Sequence, residues 1–154
     1  MDINSKNSYP ANALSNLHPH PFVLDGVQCA SMEGFLQSLK FENPSMQEEI
    51  CKLVGRMAKS RGRNKAWYRT QTLYWRGAEY KRDSDEYQTL LNRAYTALAQ
   101  NEKFRKALLA TQNATLTHSL GGTDIHRTIL TRREFCSRLT KIRAMLQNNE
   151  EVVL

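Results

Sequence analysis

The chain has 154 residues, a formal net charge of +7 and three cysteines, and 40% of its residues are hydrophobic. This length suits one domain that buries its own core, and the composition excludes fibrous and disordered classes. The cysteines form no CxxC pair, and no apolar run approaches the roughly 20 residues that cross a bilayer. We therefore predict a soluble, unexported protein of the reducing cytoplasm, without a disulfide framework or a membrane partner.

Two short apolar runs near the N-terminus predict a β-hairpin. Phe22–Leu24 and Val27–Cys29 flank Asp25-Gly26, a dipeptide typical of a two-residue hairpin turn. Ser31 is then placed to cap a helix over residues 32–42. On that helix Met32, Phe35, Leu36 and Leu39 form one apolar side, which we expect to be buried.

A polar stripe runs along another face of the same predicted helix. Glu33, Gln37 and Lys40 stand at positions i, i+4 and i+7, so one carboxylate, one amide and one amine share a side. Spacing alone favours a solvated stripe held by weak side-chain pairs. The alternative is that the three side chains line a ligand site.

Positive charge is concentrated between Lys52 and Arg82, where ten lysines and arginines accompany a single acid, Glu79, for a net charge of +9. Such a field attracts phosphates, whether of a nucleotide, a nucleic acid or an ADP-ribosyl group. Aromatic residues are interleaved with these charges without a clear period. We predict that residues 61–82 form a functional loop region and that residues 59–82 form one rim of the site.

The remaining helices carry recognisable start signals. Asn43-Pro44 begins a helix that ends near residues 60–62, and Asp83 or Ser84 caps the next. A further helix follows Asn101, and Thr131 with Glu134 forms a T-x-x-E capping box for the last one. The apolar stripes expected to be buried on these four helices are, in order, Met46, Ile50, Leu53, Val54 and Met57; Tyr87, Leu90, Leu91, Ala94, Tyr95 and Leu98; Phe104, Leu108 and Leu109; and Phe135, Leu139, Ile142 and Leu146.

Between the last two helices we expect a short strand at residues 115–119 and a turn at Gly121-Gly122 that presents Asp124. Residues 148–154 are expected to fray. Without a repeat or linker, the sequence predicts one domain over residues 1–154, of α+β class, mostly α-helical with a small β-hairpin or sheet.

The order of several motifs resembles the YbiA-like, or NADAR, family. The motifs are SNxxP at residues 15–19, SxExxxQxxKF at residues 31–41, Gly55-Arg56, residues 104–111, residues 116–119, Asp124 and residues 139–143. The details are similar to a phage branch of that family, represented by gene product 30.3 of T-even phages. The resemblance implies a YbiA-like fold and a link to ADP-ribose and other ribosylamine chemistry.

Family members with a known activity cleave the bond between a ribose anomeric carbon and a nitrogen, which the resemblance extends to this chain as an N-glycosidase hypothesis. Positive charge develops on the sugar in that reaction, so a nearby carboxylate and a group that activates water both help. By resemblance, Glu33 and Asp124 take the catalytic positions. The implied substrate-binding residues are Asn16, Gln37, Lys40, Arg56, Trp75, Tyr87 and His118.

Among the aromatic residues, Trp75 is our choice for stacking on a base because it lies in the basic segment. Tyr87 heads an apolar helical stripe, and residues in such stripes are more often core. The sequence also departs from the family pattern. Gly34 follows the glutamate where the family commonly has His, Leu91 stands where a Lys is common, and a WG element after Asp124 is missing.

These departures leave three functions open: an N-glycosidase acting on an ADP-ribosyl or ribosylated-base substrate, a nucleotide or nucleic-acid binding module, and a factor that binds a host protein. The four histidines show no i, i+4 ligand spacing, so we expect no metal site, and no cofactor motif is present. The sequence leaves the oligomeric state undetermined.

Overall fold

Six α-helices and two small antiparallel sheets make up the chain, which the computed structural model describes from residue 1 to residue 154. Two short 3₁₀ helices, Asn12–Leu14 and Trp67–Arg69, complete it. The strands are β1 (Phe22–Leu24), β2 (Val27–Cys29), β3 (Thr72–Trp75) and β4 (Ala78–Lys81). The helices are α1 (Met32–Ser38), α2 (Pro44–Cys51), α3 (Gly55–Arg61), α4 (Asp85–Leu98), α5 (Glu102–Ala110) and α6 (Arg132–Gln147). The predicted class, a mostly helical α+β domain, is confirmed.

Both sheets are hairpins with the same kind of turn. In β1–β2 Phe22 pairs with Cys29, and Asp25 and Gly26 both have positive φ, 50° and 77°. That geometry is the two-residue turn expected of Asp-Gly, so this hairpin is confirmed. In β3–β4 the turn residues Arg76 and Gly77 have φ of 51° and 88°. The prediction of an irregular loop is therefore wrong for residues 72–81, because a non-standard turn sequence hid a second hairpin.

Helix α1 lies against α2, α3 and β2. The Ser31 hydroxyl accepts a hydrogen bond from the Gly34 amide at 3.1 Å, which confirms the predicted cap. The predicted apolar side, made of Met32, Phe35, Leu36 and Leu39, is buried in the core. The helix ends at Ser38, four residues earlier than predicted, although the Lys40 amide still donates to the Gln37 carbonyl.

The single helix predicted from residue 44 to about residue 61 is two helices. The Leu53 carbonyl accepts from the Ser31 hydroxyl at 2.9 Å, and the Gly55 amide donates to the Leu17 carbonyl at 3.1 Å. Gly55 has a φ of 57°, which a continuous right-handed helix does not allow. These bonds to distant segments interrupt the helix between α2 and α3, and Met57 of the expected buried stripe is 69% exposed.

The three C-terminal helices begin where predicted. Ser84 and Asn101 cap α4 and α5 through their side chains, and the capping box of Thr131 and Glu134 is present at α6. The expected stripes of α4 and α6 are buried, whereas Leu109 of α5 is exposed, contrary to its prediction. Leu109 lies one position past the buried Leu108, on the solvent side of a short helix.

Two local predictions about the C-terminal third are corrected. Residues 115–119 form no strand ladder, since only a parallel bridge joins Asp2 to Thr117. Residues 148–154 do not fray: Val152 is buried, and the Leu154 amide donates to the Thr96 hydroxyl at 3.1 Å. An apolar side chain within reach of the core is enough to hold this short segment. None of the helices is both long and apolar enough to span a bilayer.

Candidate functional site

A polar cleft with a volume of about 260 Å³ opens along the exposed side of α1. A smaller depression of about 130 Å³ adjoins it and shares five of its residues, so the two form one cleft with two lobes. Both lobes contain Asn16, Glu33, Lys59, His118 and Leu120. The larger lobe adds Leu36, Gln37, Lys40, Trp67, Gly121, Gly122, Arg127, Thr128, Ile129 and Leu130. The smaller lobe adds Asn4, Ser5, Ser15 and Leu17.

Glu33 and Gln37 form a hydrogen-bonded pair in this cleft. One turn of helix separates them, and Gln37 Nε2 donates to Glu33 Oε1 at 2.9 Å. Gln37 is 7% exposed, and its buried Oε1 has no hydrogen-bond partner. A carboxylate can only accept, so the pair fixes the orientation of the Gln37 amide. The carboxylate of Glu33 is thereby held in place on a rigid element.

Lys40 lies just beyond the end of α1 and still lines the cleft, because the backbone continues to turn after Ser38. Its Nζ donates to the Gly62 carbonyl at 3.2 Å. Burial lowers the pKa of the Lys40 amine, and the charge of Glu33 partly opposes that effect. A Cβ on residue 62 would overlap Gln37 Oε1, so Gly62 lets the chain pass close to the Gln37 amide.

Asn16 and His118 enter the cleft from two segments far apart in sequence. The Asn16 carbonyl accepts from the Glu33 amide at 2.9 Å, and its side-chain oxygen accepts from the Tyr95 hydroxyl, also at 2.9 Å. The Tyr95 ring is buried, and this burial raises the pKa of its phenol. His118 Nδ1 is 2.8 Å from the Ile3 carbonyl oxygen. Hydrogen bonds to the buried residues Tyr95 and Ile3 therefore hold the Asn16 and His118 side chains in place.

The wall at residues 127–130 is held by buried side chains that do not enter the cleft. Arg82 Nε donates to the Thr128 carbonyl at 2.9 Å, and the Tyr87 hydroxyl donates to the Ile129 carbonyl at 2.6 Å. Tyr87 is fully buried, and this burial raises the pKa of its phenol. The structure therefore places Tyr87, predicted to bind substrate, behind the wall that it supports.

Trp75, the predicted stacking residue, lies in the core rather than in the cleft. It is 2% exposed, and its ring packs edge-on against Phe35 with centroids 4.9 Å apart. Its Nε1 donates to Asp25 Oδ2 at 2.8 Å, which joins the two hairpins. Trp75 was chosen because it is an aromatic residue in a basic segment. The register of β3 instead directs its side chain into the core.

Arg56 and Asp124 are also outside the cleft. Arg56 is exposed on α3, whereas the next turn of that helix brings Lys59 into both lobes. Asp124 is exposed, and its carboxylate accepts from the His126 amide at 2.9 Å within its own turn. The expectation that Glu33 and Asp124 share one concave site is not met. Five predicted residues do come together there: Asn16, Glu33, Gln37, Lys40 and His118.

Three charged or aromatic residues of the cleft were not named from the sequence as individual site residues. Lys59 and Trp67 belong to the basic segment, so its charge was the available signal, while Arg127 follows Asp124 without a motif of its own. Within residues 59–82, only Lys59 and Trp67 line the larger lobe, and Arg82 at the end of the segment is buried in the interior. The predicted rim is therefore shorter than residues 59–82.

Three larger depressions lie elsewhere, and none of them contains a residue predicted for the site. The one along α2, about 500 Å³, includes Glu49 and Arg61. The one beside β1 and β2, about 350 Å³, has Lys52 as its single charged residue. The one between α4 and α6, about 450 Å³, contains Glu134 and Arg138, whose charged groups already bond Arg82, Gln88 and Asn92.

Comparison with known proteins agrees with the sequence motifs. The family model described as Bacteriophage protein GP30.3 matches residues 8–144. A protein of Enterobacteria phage T4, described as an uncharacterized 17.1 kDa protein in the Gp30-rIII intergenic region, is 39% identical over 149 residues, which are 95% of this chain and 98% of that one.

The NMR structure of the E. coli protein YbiA has a similar fold, with a TM-score of 0.59 over 97% of this chain and 88% of that chain. Its sequence is 19% identical, so this likeness concerns the fold alone. The resemblance to YbiA-like proteins and to their gene product 30.3 branch is confirmed. The chain belongs to the bacteriophage GP30.3 family and has a YbiA-like fold.

Proposed function

We propose that the cleft binds a phosphate-bearing ribosylated small molecule, and that Glu33 promotes cleavage of the bond between its ribose and its base. The observation that carries this proposal is the charge pattern of the larger lobe. Glu33 is the one carboxylate in its lining, and it is accompanied by three cations, Lys40, Lys59 and Arg127. This combination suits a ligand with anionic phosphates and a sugar carbon that becomes positive.

Glu33 has the properties that this reaction needs. As the bond to nitrogen breaks, positive charge develops on the anomeric carbon, and a fixed carboxylate stabilises it. The same carboxylate can accept a proton from the attacking water. The hydrogen bond from Gln37 Nε2 holds the carboxylate in one orientation, so little reorganisation is needed during the reaction.

The cations support binding of the phosphates. Lysine and arginine form strong charge-assisted hydrogen bonds to phosphate, and these bonds are stronger in a partly desolvated cleft. Trp67 lines the same lobe and is 8% exposed, so a small part of its indole ring is accessible there. A base can pack against the accessible part of the indole ring while the phosphates contact the cations.

The positions that depart from the family pattern cannot supply further catalytic groups. Gly34 faces the backbone carbonyls of Ile50 and Leu53, and Leu91 is fully buried in the core. Asp124 lies outside the cleft. The proposed chemistry therefore depends on Glu33, and a chain without turnover would act as a binder of the same class of ligand.

The test measures release of base by chromatography from NAD and from the nucleoside 5′-monophosphates. We expect Glu33→Gln to reduce release about a hundredfold or more, because a fixed charge near the transition state is lost. The fold should persist, since the glutamine oxygen can still accept from Gln37. Glu49→Gln, on the exposed part of α2, is the matched control and should release base at the wild-type rate.

Release by Glu33→Gln at the wild-type rate would exclude Glu33 as the catalytic carboxylate. Absence of release from every probe, with ADP-ribose still bound in calorimetry, would exclude cleavage of these substrates and favour the alternative function, ligand binding without turnover. Absence of both release and binding would exclude the proposed ligand class.

A further inference from the structure

His118 and Glu33 both line the two lobes of the cleft. His118 is half-buried on the segment that pairs with the N-terminus of the chain. When the base is uncharged in the substrate, the proposed reaction needs a group that gives a proton to the departing base as well as a group that activates water. Asp124 lies outside the cleft, so His118 is the side chain to consider as the proton donor.

The hydrogen bond to Ile3 determines which imidazole nitrogen is free. A backbone carbonyl can only accept, so the contact of 2.8 Å requires a proton on Nδ1. Nε2 makes no hydrogen bond within the protein. The edge formed by Cδ2 and Nε2 points at Gly121, a cleft residue, where an added Cβ would lie only 2.6 Å from Cδ2. The nitrogen that can gain and lose a proton is therefore on the cleft side.

The imidazole is also held rigidly. Its ring packs edge-on against Phe135, with centroids 5.1 Å apart. The flanking backbone is fixed by the Ile3 amide, which donates to the Thr117 carbonyl at 2.8 Å. The Asp2 carboxylate accepts from both the amide and the hydroxyl of Ser119, at 2.7 and 2.6 Å. Such fixed geometry is what a proton-transfer group requires.

We infer that His118 is a catalytic proton donor, which protonates the leaving base while Glu33 acts at the ribose; this inference rests on the proposed function. The bond between the anomeric carbon and nitrogen breaks, and its electron pair goes to the base. His118 Nε2 gives its proton to a ring nitrogen of that base. Water adds to the anomeric carbon and gives its proton to Glu33, and exchange with solvent restores both groups.

The other proton-bearing side chains of the larger lobe are less suited to this role. Lys40 Nζ is engaged with the Gly62 carbonyl. Arg127 stays protonated in proteins, so it cannot deliver a proton and be recharged. Lys59 is exposed on α3, where a flexible stem leaves its amine without a fixed position. His118 is the titratable side chain that combines a fixed ring with a free nitrogen.

The test compares two leaving groups. Adenine leaving AMP needs a proton, whereas nicotinamide leaving NAD departs as a neutral molecule because its ring nitrogen is cationic in the substrate. We expect His118→Asn to reduce kcat for adenine release by about a hundredfold or more and to change nicotinamide release less than about threefold. Asparagine can keep the bond to Ile3, because its amide occupies the place of Nδ1.

His126→Asn is the matched control, since His126 is exposed, lies outside the cleft and should leave both rates unchanged. His118→Gln is the second variant, in case the asparagine variant does not fold. Its amide reaches the position of Nε2 but cannot protonate a base, so it should show the same dependence on the leaving group. The urea midpoint of each variant, compared with the wild type, shows whether the fold persists.

Equal losses for both leaving groups would show a structural role and overturn the inference, as would unchanged adenine release. Release of nicotinamide but not adenine by the wild type would also contradict it, while Glu33→Gln would still test the proposed function. If the wild type releases neither base, cleavage of the bond between ribose and base is disproved, and so is the proton-donor role of His118.

Discussion

Arg82 and Glu134 form an ion pair in the interior, directly behind the cleft wall. Two bonds of 2.6 and 3.1 Å join them, and Arg82 is 1% exposed. Burial alone would raise the pKa of Glu134, but the bonds from Arg82, from the Thr131 amide and from Gln88 outweigh it and lower that pKa. The same arginine donates to the Thr128 carbonyl, so the pair stabilises both the start of α6 and the wall.

We predict that Glu134→Gln lowers the free energy of unfolding by about 3–5 kcal/mol, because the guanidinium of Arg82 would remain buried without a counter-charge. Urea denaturation measures this change. The control is Arg93→Gln, which breaks the exposed pair between Arg93 and Asp25. We expect the control to cost less than about 1 kcal/mol. Equal effects of the two variants would show that burial does not strengthen the interior pair.

At the scale of elements, the position of the cleft depends on how closely α2 approaches α1. A Cβ on residue 34 would lie 2.7 Å from the Leu53 carbonyl oxygen and 3.0 Å from that of Ile50. Backbone atoms cannot move aside as a flexible side chain can. Glycine at position 34 is therefore a packing requirement of this chain.

We predict that Gly34→Ala destabilises the protein, although alanine is the better helix former. The gain in helix propensity is at most about 1 kcal/mol, whereas overpacking against rigid neighbours costs about 1–3 kcal/mol. A lower urea midpoint is the expected result. Gly122→Ala is the control, because its Cβ would meet only the Thr128 side chain, at 3.3 Å. A higher midpoint for Gly34→Ala would mean that α2 moves away easily.

Local patterns predicted most individual elements of the fold. The Asp-Gly hairpin, the caps at Ser31, Ser84 and Asn101, and the capping box of α6 depend on neighbours within a few residues, so the sequence carries them directly. The break between α2 and α3 was missed because it is made by hydrogen bonds to Leu17 and Ser31, which local periodicity does not contain.

In the candidate site too, features set by neighbours in sequence were predicted, and features set by tertiary packing were missed. Residues on one helix face, Glu33 and Gln37, could be placed together from spacing alone. Whether Trp75 faces the cleft or the core depends on strand register and tertiary packing, which the interleaved charges of that segment do not report. Asp124 was expected in the cleft by resemblance alone, and its own turn keeps it outside.

Ligand binding in the cleft along α1 can be observed by titrating ADP-ribose into ¹⁵N-labelled protein and recording amide NMR shifts. We expect saturable shifts to cluster at residues that line both lobes, foremost Glu33, Lys59 and His118. Shifts centred on the depression between α4 and α6, around Arg133 and Lys141, would contradict binding in the cleft, and so would the absence of any saturable shift.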